Sequence, residues 1–319
     1  MRDGNNYRAE ALSFGDLISP VSASEFFDTY WEKDLCCASG PRERYQDLFT
    51  WDVLNRALEE HRLTAPRLRL YRRGMAIDPS SYQLKQLGRN RTKQFVAQLE
   101  AGATLILDSA EELYAPLRAA TLELERVFRV PTNVNLYASW KSDSGFNIHY
   151  DRQENIVFQV YGRKHWRVWR PTRAFALRPD IEEAPPPCGE PVFDGLLNEG
   201  DFLYIPRGWW HVAVPVNNAC LHLTATINTY TGVDLLQWIA LQSRRVMAVR
   251  QTLPLLQSGD AQESYLTELR SVVEAYLKGS VIDDFLADMD RNRTVLPAFS
   301  LPALSTQEMA APCAMTIDS

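Results

Sequence analysis

The segment His149-Tyr150-Asp151 places two metal-binding side chains two residues apart. It lies in a stretch of short runs rich in Val, Ile, Tyr, Trp and Thr, a composition typical of β-strands. Because strand side chains alternate between faces, His149 and Asp151 project to the same side and could bind one ion, whereas Tyr150 points away. A pair of this kind also arises by chance, with the histidine serving only as a surface or capping residue.

A third candidate ligand, His211, follows a strand-like run at residues 201–205 and a turn at residues 206–210. Two histidines and one carboxylate form the facial triad of non-haem iron oxygenases, which leaves coordination positions open for co-substrate and oxygen. Structural zinc is instead closed by four protein ligands, usually thiolates. The three residues therefore predict an Fe(II) site.

A candidate co-substrate anchor, Lys164, opens a strand-like run directly after the turn at residues 161–163. A hairpin returning from Asp151 would bring Lys164 onto the neighbouring strand. There its ammonium could pair with the distal carboxylate of 2-oxoglutarate while the keto-acid end chelates the iron. The alternative is a solvated turn lysine.

Three regions surround these residues. Residues 1–130 are mixed and end in a predicted helix, with a capping box at Ser109 and Glu112. Residues 131–232 consist of short strand-like runs separated by turns, as in an antiparallel barrel. Residues 233–319 begin with two helical segments, from 234 to about 250 and from about 261 to 278, and end in an aperiodic stretch.

Composition limits the classes of partner. The formal net charge of −6 argues against a nucleic-acid partner, because phosphate-backbone binding needs concentrated Lys and Arg. No apolar run is long enough for a membrane helix and the first ten residues are polar, so we expect no membrane association and a cytoplasmic location. The five cysteines show no CxxC pair and predict neither a disulfide framework nor a zinc ribbon.

Several segments, in order and spacing, resemble the JmjC-type ribosomal oxygenases and their bacterial cupin-like relatives. They are residues 135–139 (NLYAS), 145–151 (GFNIHYD), 159–166 (QVYGRKHW), 200–211 (GDFLYIPRGWWH) and 221–224 (LHLT). The resemblance implies a mainly β fold with added helices, the double-stranded β-helix or jelly roll of cupin and JmjC proteins. Residues 1–130 would complete the barrel, 131–232 would form its core, and 233–319 would be a helical appendage.

The resemblance also implies roles for individual residues. His149, Asp151 and His211 would bind Fe(II) and form the catalytic centre, and Lys164 would anchor 2-oxoglutarate. Further implied positions are Thr226 and Tyr137 for the co-substrate and Asn135 for the substrate pocket. By their positions in the sequence, Asn155 and Trp210 are also predicted to line the substrate pocket. Ordinary alternatives exist, namely barrel packing for Asn135 and Trp210 and a turn role for Asn155. We expect His222, in an apolar run, to be a hydrogen-bonded core histidine.

The implied activity is a dioxygenase that hydroxylates an amino-acid side chain in a peptide or protein and releases succinate and CO2. Alternatives are hydroxylation of a free amino acid or biosynthetic peptide precursor, or a barrel that binds without catalysis. Ribosomal oxygenases follow the barrel with dimerisation helices and a winged-helix-like domain. Here a homodimer through the C-terminal helices is expected, but the chain left after residue 295 is short, which leaves a ribosomal-protein substrate open.

The loop from residue 180 to 201 suggests a property of the substrate, because it contains seven acidic residues and no Lys or Arg. If this loop lies over the site entrance, it would attract basic peptides in a salt-sensitive way. The alternative is a solvated acidic loop that does not contact the substrate.

Overall fold

The computed structural model of the chain describes residues 12–84, 88–141, 145–177, 180, 184–216 and 219–292. Within these ranges the strands are β1 (Cys36–Ala38), β2 (Leu68–Arg72), β3 (Met75–Ala76), β4 (Gln83–Leu84), β5 (Arg89–Asn90), β6 (Thr104–Leu107), β7 (Thr132–Ser139), β8 (His149–Tyr150), β9 (Glu154–Tyr161), β10 (Lys164–Trp169), β11 (Phe193–Leu197), β12 (Phe202–Ile205), β13 (Trp210–Pro215) and β14 (Cys220–Ile227).

These strands form two facing antiparallel sheets and a small hairpin. The larger sheet has the order β1-β12-β9-β14-β7-β6-β2-β3, and the smaller has the order β11-β10-β13-β8. Strands β4 and β5 pair separately. Two stacked antiparallel sheets with crossing connections are the jelly-roll arrangement, so the fold class predicted from the sequence is confirmed.

The space between the sheets is filled from both sides, because alternate residues of each strand point inward. A buried apolar cluster joins Val157, Leu203 and Ile205 of the larger sheet to Trp166 and Val168 of the smaller one. The outward face of the larger sheet packs against helices in a second and larger core. Polar inward positions interrupt the first cluster, and they form the site described below.

The helices are α1 (Phe14–Ile18), α2 (Ala23–Glu25), α3 (Trp51–Glu60), α4 (Thr92–Glu100), α5 (Ala115–Phe128), α6 (Gly232–Gln242), α7 (Met247–Arg250), α8 (Gly259–Tyr276) and α9 (Val281–Asn292). Short helical turns of other pitch occupy Phe26–Tyr30, Pro79–Ser81, Ala110–Glu112 and Ser243–Arg245. None of the helices in the described residues is long and apolar enough to cross a membrane.

The helix predicted from Ser109 begins later, so the predicted capping box is wrong. Ser109 has a left-handed backbone (φ 54°), and its N–H donates to Asn135 Oδ1 at 3.2 Å. Helix α5 starts at Ala115 with Pro116 in its first turn, where proline's missing N–H costs no hydrogen bond. A contact with β7 therefore displaces the helix start.

The C-terminal region is helical as predicted but more divided. The first predicted segment is split into α6 and α7, and α9 adds a helix that the sequence pattern did not predict. Phe285 of α9 packs on Tyr230 and Trp238 with ring centroids 5.1 and 5.8 Å apart. Helix α8 buries none of its residues, all of which are described, and it exposes Leu266 and Val273.

Strands on both sides of residue 130 share the larger sheet, since β6 pairs with β7. Residues 1–130 thus contribute strands to the same sheet as residues 131–232. The three-part division drawn from the sequence stays a prediction. The aperiodic stretch predicted at the end of the chain lies outside the described residues, which end at residue 292.

Candidate active site

Two short strands bring the three candidate metal ligands together. β13 pairs with β8 so that His211 lies directly opposite His149, and Asp151 follows β8 immediately. One potential ligand atom from each of the three residues lies within 4.8 Å of the other two. The imidazole centroids of His149 and His211 are 4.4 Å apart. No other group of three such side chains occurs in the described residues.

Backbone contacts orient the two imidazoles. His149 Nδ1 lies 2.8 Å from the carbonyl oxygen of Asn147, and His211 Nδ1 lies 3.1 Å from that of Trp209. A carbonyl oxygen only accepts, so each Nδ1 carries the proton and donates it. Each Nε2 is then left unprotonated and available to a metal.

The turn before β13 also contacts Asp151. The N–H of Gly208 donates to the carbonyl oxygen of Asp151 at 2.8 Å, and Gly208 has φ +85°, which glycine adopts without strain. Asn155 Nδ2 donates to Asp151 Oδ2 at 2.6 Å. These contacts fix the carboxylate beside His211.

Burial keeps one of the imidazoles neutral. The pKa of His211 is lowered chiefly by burial and also by the neighbouring His149, while Asp151 opposes this shift. A neutral imidazole is the form that binds a metal. The donor set therefore suits a divalent ion with nitrogen and oxygen ligands and further positions left for exogenous ligands.

Lys164 faces the same cavity from β10 and is only 4% exposed. Its ammonium lies 3.0 Å from Nδ1 of His222, which is 3% exposed. No carboxylate within the described ranges forms an ion pair with it, and burial lowers the pKa of Lys164. A buried ammonium without a carboxylate is costly, so this position fits an anionic ligand.

The cavity that contains these groups has a volume of about 180 Å³. Such a volume suits a small co-substrate, because pockets for drug-sized ligands are larger, at ~300 Å³ or more. Both sheets contribute to its lining, which comprises Thr104, Tyr137, Gly145, Phe146, His149, Asp151, Asn155, Val157, Lys164, Trp166, Ile205, His211, Ala213, His222 and Thr224.

A larger cavity of about 860 Å³ lies elsewhere, between α3 and α4. Its lining is largely apolar, with Trp51, Leu54 and Phe95 among the contributors. It lacks any described group of three metal-binding side chains. The chemistry is therefore assigned to the smaller cavity.

The other residues predicted for the site divide into two groups. Tyr137 and Asn155 line the cavity, whereas Asn135, Thr226 and Trp210 are not among its described lining. Asn135 Oδ1 accepts from Ser109 N, and Trp210 Nε1 donates to Thr172 Oγ1 at 2.9 Å. Thr226 is half-buried and lies opposite Asn155, where β14 pairs with β9. It is two residues along β14 from Thr224, which lines the cavity. The roles assigned to these five residues stay predictions.

Sequence reasoning missed Thr104, Phe146, His222 and Thr224 as cavity residues. For β14 a usable signal existed, because His222 and Thr224 share the inward face with Thr226. His222 is a buried, hydrogen-bonded histidine as expected, but it lines the cavity as well. Thr104 lies on β6, before the recognisable motifs, and no pattern around it pointed to the site.

The acidic loop provides no support for a charged rim. Asp180 and Glu199 are ion-paired with Arg173 and Arg42, and Asp194 Oδ1 lies 2.6 Å from Nε2 of His165. Asp201 is buried and accepts hydrogen bonds from the N–H groups of Asn198 and Gly40. Glu182 and Glu183 lie outside the described residues, and no described residue of the loop lines the cavity.

Known proteins match this chain in sequence and in fold. Residues 112–235 match the family model of the JmjC domain. Among curated proteins, the "Bifunctional lysine-specific demethylase and histidyl-hydroxylase NO66" of Drosophila mojavensis is 24% identical over 287 residues, which cover 82% of this chain and 32% of that protein. Its counterpart from Drosophila grimshawi is 29% identical over 224 residues, covering 67% of this chain and 30% of that protein. The chain thus spans about a third of the length of these relatives.

Among solved structures, the ribosomal oxygenase YcfD of Escherichia coli superimposes with a TM-score of 0.56 at 17% identity, covering 84% of this chain and 70% of that chain. A second YcfD structure, solved in complex with cobalt and 2-oxoglutarate, gives a TM-score of 0.53 at 18% identity, with the same coverage. At this identity the likeness shows the fold alone. The resemblance predicted from the sequence is thereby confirmed: residues 112–235 match the JmjC domain model, and the chain shares its fold with a bacterial ribosomal oxygenase.

Proposed function

We propose that this chain is an Fe(II)- and 2-oxoglutarate-dependent dioxygenase that hydroxylates an amino-acid side chain in a peptide or protein and releases succinate and CO2. One observation carries the proposal: a His-Asp-His group and a buried lysine without a carboxylate partner in the described residues line one cavity of about 180 Å³. Neither feature alone is specific to this reaction. Together they provide a metal site and an anion site in a volume suited to a small keto-diacid.

His149, Asp151 and His211 would hold the iron. Their contacts with Asn147, Trp209 and Asn155 supply the supporting hydrogen bonds that metal ligands usually have. Three protein ligands leave positions free for co-substrate and O2. When bound, iron and 2-oxoglutarate supply the oxidative chemistry, in which decarboxylation to succinate is coupled to insertion of one oxygen atom into a C–H bond.

Lys164 would hold the distal carboxylate of 2-oxoglutarate. The difference in exposure between the two ends of the site indicates the direction in which the co-substrate would bind. The Asp151 side chain is 39% exposed, whereas Lys164 is 4% exposed. The keto-acid end would therefore lie towards the open side, beside the metal ligands. Tyr137 and Thr224 line the same cavity and could contribute hydroxyl contacts.

The small cavity restricts how a substrate can bind. A peptide cannot fit into about 180 Å³ together with the co-substrate, so only its reacting side chain would reach the metal from the exposed side of Asp151. The protein's part is to fix the ligand geometry and to place one carbon atom near the metal.

A protein substrate is supported by the names of the similar proteins, a histidyl-hydroxylase and a ribosomal oxygenase. The name of the first also includes lysine demethylation, which would appear in the same assay as loss of a methyl group. A free amino acid or a biosynthetic peptide precursor is the alternative substrate. A barrel that binds without catalysis is disfavoured by the complete His-Asp-His group and Lys164.

Compartment, assembly and substrate charge are further parts of the proposal. Cys36, Cys37, Cys188 and Cys220 are free thiols, which suits the reducing cytoplasm. Helix α8 buries no residue and exposes Leu266 and Val273, which suits a homodimer through the C-terminal helices. A basic substrate stays a prediction, since the described acidic side chains that prompted it are largely engaged within the chain.

The proposal is tested by incubating the protein anaerobically with Fe(II) and 2-oxoglutarate and then admitting air. We expect succinate to form, and candidate peptides to gain the mass of one oxygen atom. His165 is a matched control histidine, because it pairs with Asp194 outside the cavity. His165→Ala should retain turnover and His211→Ala should lose it. Absence of succinate with every candidate substrate, although iron binds, would favour the non-catalytic alternative.

A further inference from the structure

The contact between Lys164 and His222 joins two buried side chains on strands of different sheets. Lys164 belongs to β10 of the smaller sheet and His222 to β14 of the larger one. The 3.0 Å distance between Nζ and Nδ1 is that of a hydrogen bond, and both side chains line the cavity. The pair therefore bridges the two sheets beside the candidate co-substrate site.

The chemistry of the contact fixes the direction of the hydrogen bond. An ammonium has three donors and no acceptor, so Nδ1 of His222 must be the acceptor and must carry no proton. Burial, followed by the charge of Lys164, lowers the pKa of His222. His222 is therefore neutral, with its proton on Nε2, and one N–H of Lys164 points at it.

Aromatic contacts hold the imidazole plane. The Tyr137 ring is parallel to that of His222 within 1°, with centroids 4.7 Å apart. Trp166 meets the same imidazole edge-on at 5.6 Å. With its ring held in this way, His222 fixes the direction of one N–H of Lys164, and the tetrahedral ammonium then directs its other two N–H groups.

We propose that His222 is a positioning residue for the co-substrate: by accepting one N–H of Lys164, it aims the other two at the distal carboxylate of 2-oxoglutarate. This inference rests on the proposed function and assigns His222 a role beyond core packing. It also assigns a role to Tyr137, whose ring holds His222 in place. His222 thereby determines selectivity for a keto acid with a second carboxylate.

The test compares two keto acids that differ only in the distal carboxylate. Binding of 2-oxoglutarate and 2-oxopentanoate to Co(II)-loaded protein is measured by calorimetry without oxygen. His222→Leu should weaken 2-oxoglutarate binding about tenfold, the scale of one lost hydrogen bond to a charged group. It should leave 2-oxopentanoate binding within about twofold, because that ligand makes no contact with the ammonium.

A conservative variant separates positioning from packing. Asn places a carbonyl oxygen where Nδ1 of His222 lies, so His222→Asn should recover most of the 2-oxoglutarate affinity. In a Lys164→Met background, His222→Leu should change 2-oxoglutarate affinity less than about twofold, because the group through which it acts is gone. Co(II) absorption and thermal unfolding establish that each variant is folded and binds metal.

Three results would overturn the inference: unchanged 2-oxoglutarate affinity in His222→Leu, equal losses for both keto acids, or a loss that persists in the Lys164→Met background. The proposed function fails separately, and the inference with it, if the unaltered protein binds neither keto acid. A readout without metal or keto acid is the ¹⁵N NMR signal of His222 Nδ1. We expect an unprotonated nitrogen whose signal moves on Lys164→Met, and a protonated Nδ1 would overturn the inference directly.

Discussion

Replacing Lys164 with Met removes a buried charge and keeps a side chain of similar length. In the unaltered protein one N–H of the ammonium is directed at His222, which leaves two for a ligand. We expect Lys164→Met to weaken 2-oxoglutarate binding strongly and metal binding little. The reason is that Lys164 is not one of the grouped metal-binding side chains.

The magnitude follows from those two donors. A hydrogen bond to a charged group contributes ~1.5 kcal/mol or more, so two such bonds contribute about 3 kcal/mol. Because each 1.4 kcal/mol changes Kd tenfold, Lys164→Met should raise the Kd for 2-oxoglutarate by about a hundredfold or more. The site is shielded from solvent, so salt should reduce this effect little.

Calorimetric titration of Co(II)-loaded protein with 2-oxoglutarate measures the change directly. Thermal unfolding gives a second measurement, since a saturating ligand at about 100 times its Kd stabilises the folded state by about 2.7 kcal/mol. The variant should lose most of this ligand-dependent shift. Lys93→Met, at an exposed position of α4, is the matched control and should behave as the unaltered protein. An equal affinity in Lys164→Met and the unaltered protein would refute the reasoning, as would a parallel loss of metal affinity.

Three other predictions follow. His211→Ala should abolish metal-dependent succinate formation while His165→Ala retains it, measured by NMR detection of succinate; normal turnover of 2-oxoglutarate by His211→Ala would exclude His211 as a ligand. Burial raises the pKa of Glu154 from 4.5 to about 7, so its contribution to stability is fully present below pH 4.5 and is lost, by about 3 kcal/mol, as the pH rises through 7. Glu154→Gln should flatten that part of the pH profile in denaturant unfolding, and an unchanged profile would contradict the assignment. If residues 180–201 attract the substrate, basic peptides should be preferred on an array at low salt and lose that preference at high salt, whereas preference for acidic peptides would refute the idea.

The grouping of the metal-binding residues could be predicted because it depends on local geometry. His149 and Asp151 share a face through strand alternation, and the turn before His211 has recognisable residues. The hairpin predicted to bring Lys164 onto a strand neighbouring Asp151 is wrong, because β9 and β10 lie in different sheets and β13 separates β10 from β8. The contact of Lys164 with His222 also joins strands from different sheets, and no periodicity in either strand specifies it.

The error at the predicted capping box has a physical cause of the same kind. The sequence pattern predicts Ser109 as a helix cap, but in the structure its N–H donates to Asn135 of β7. That contact could not be predicted because Asn135 is distant in sequence. In the loop from residue 180, Glu199 is ion-paired with Arg42, which is distant in sequence, and attraction of basic substrates to this loop stays a prediction. Sequence composition counts charges, and only the fold shows which of them are neutralised.

The residues that match the JmjC domain do not form the whole of the larger sheet, because strands before the match complete both of its edges. β1 forms one edge of the eight-stranded sheet beside β12, and β6, β2 and β3 form the other edge beside β7. All four precede residue 112, where the JmjC match begins. A polypeptide cut at that point would leave the apolar β12 unpaired along one side. An unpaired edge of this kind favours intermolecular strand addition and aggregation. Because Cys36 of β1 pairs with Tyr204 of β12, about half of the chain away, completing this edge is a non-local event, and we expect the emerging polypeptide to expose an unpaired edge until residues near Tyr204 have been synthesised.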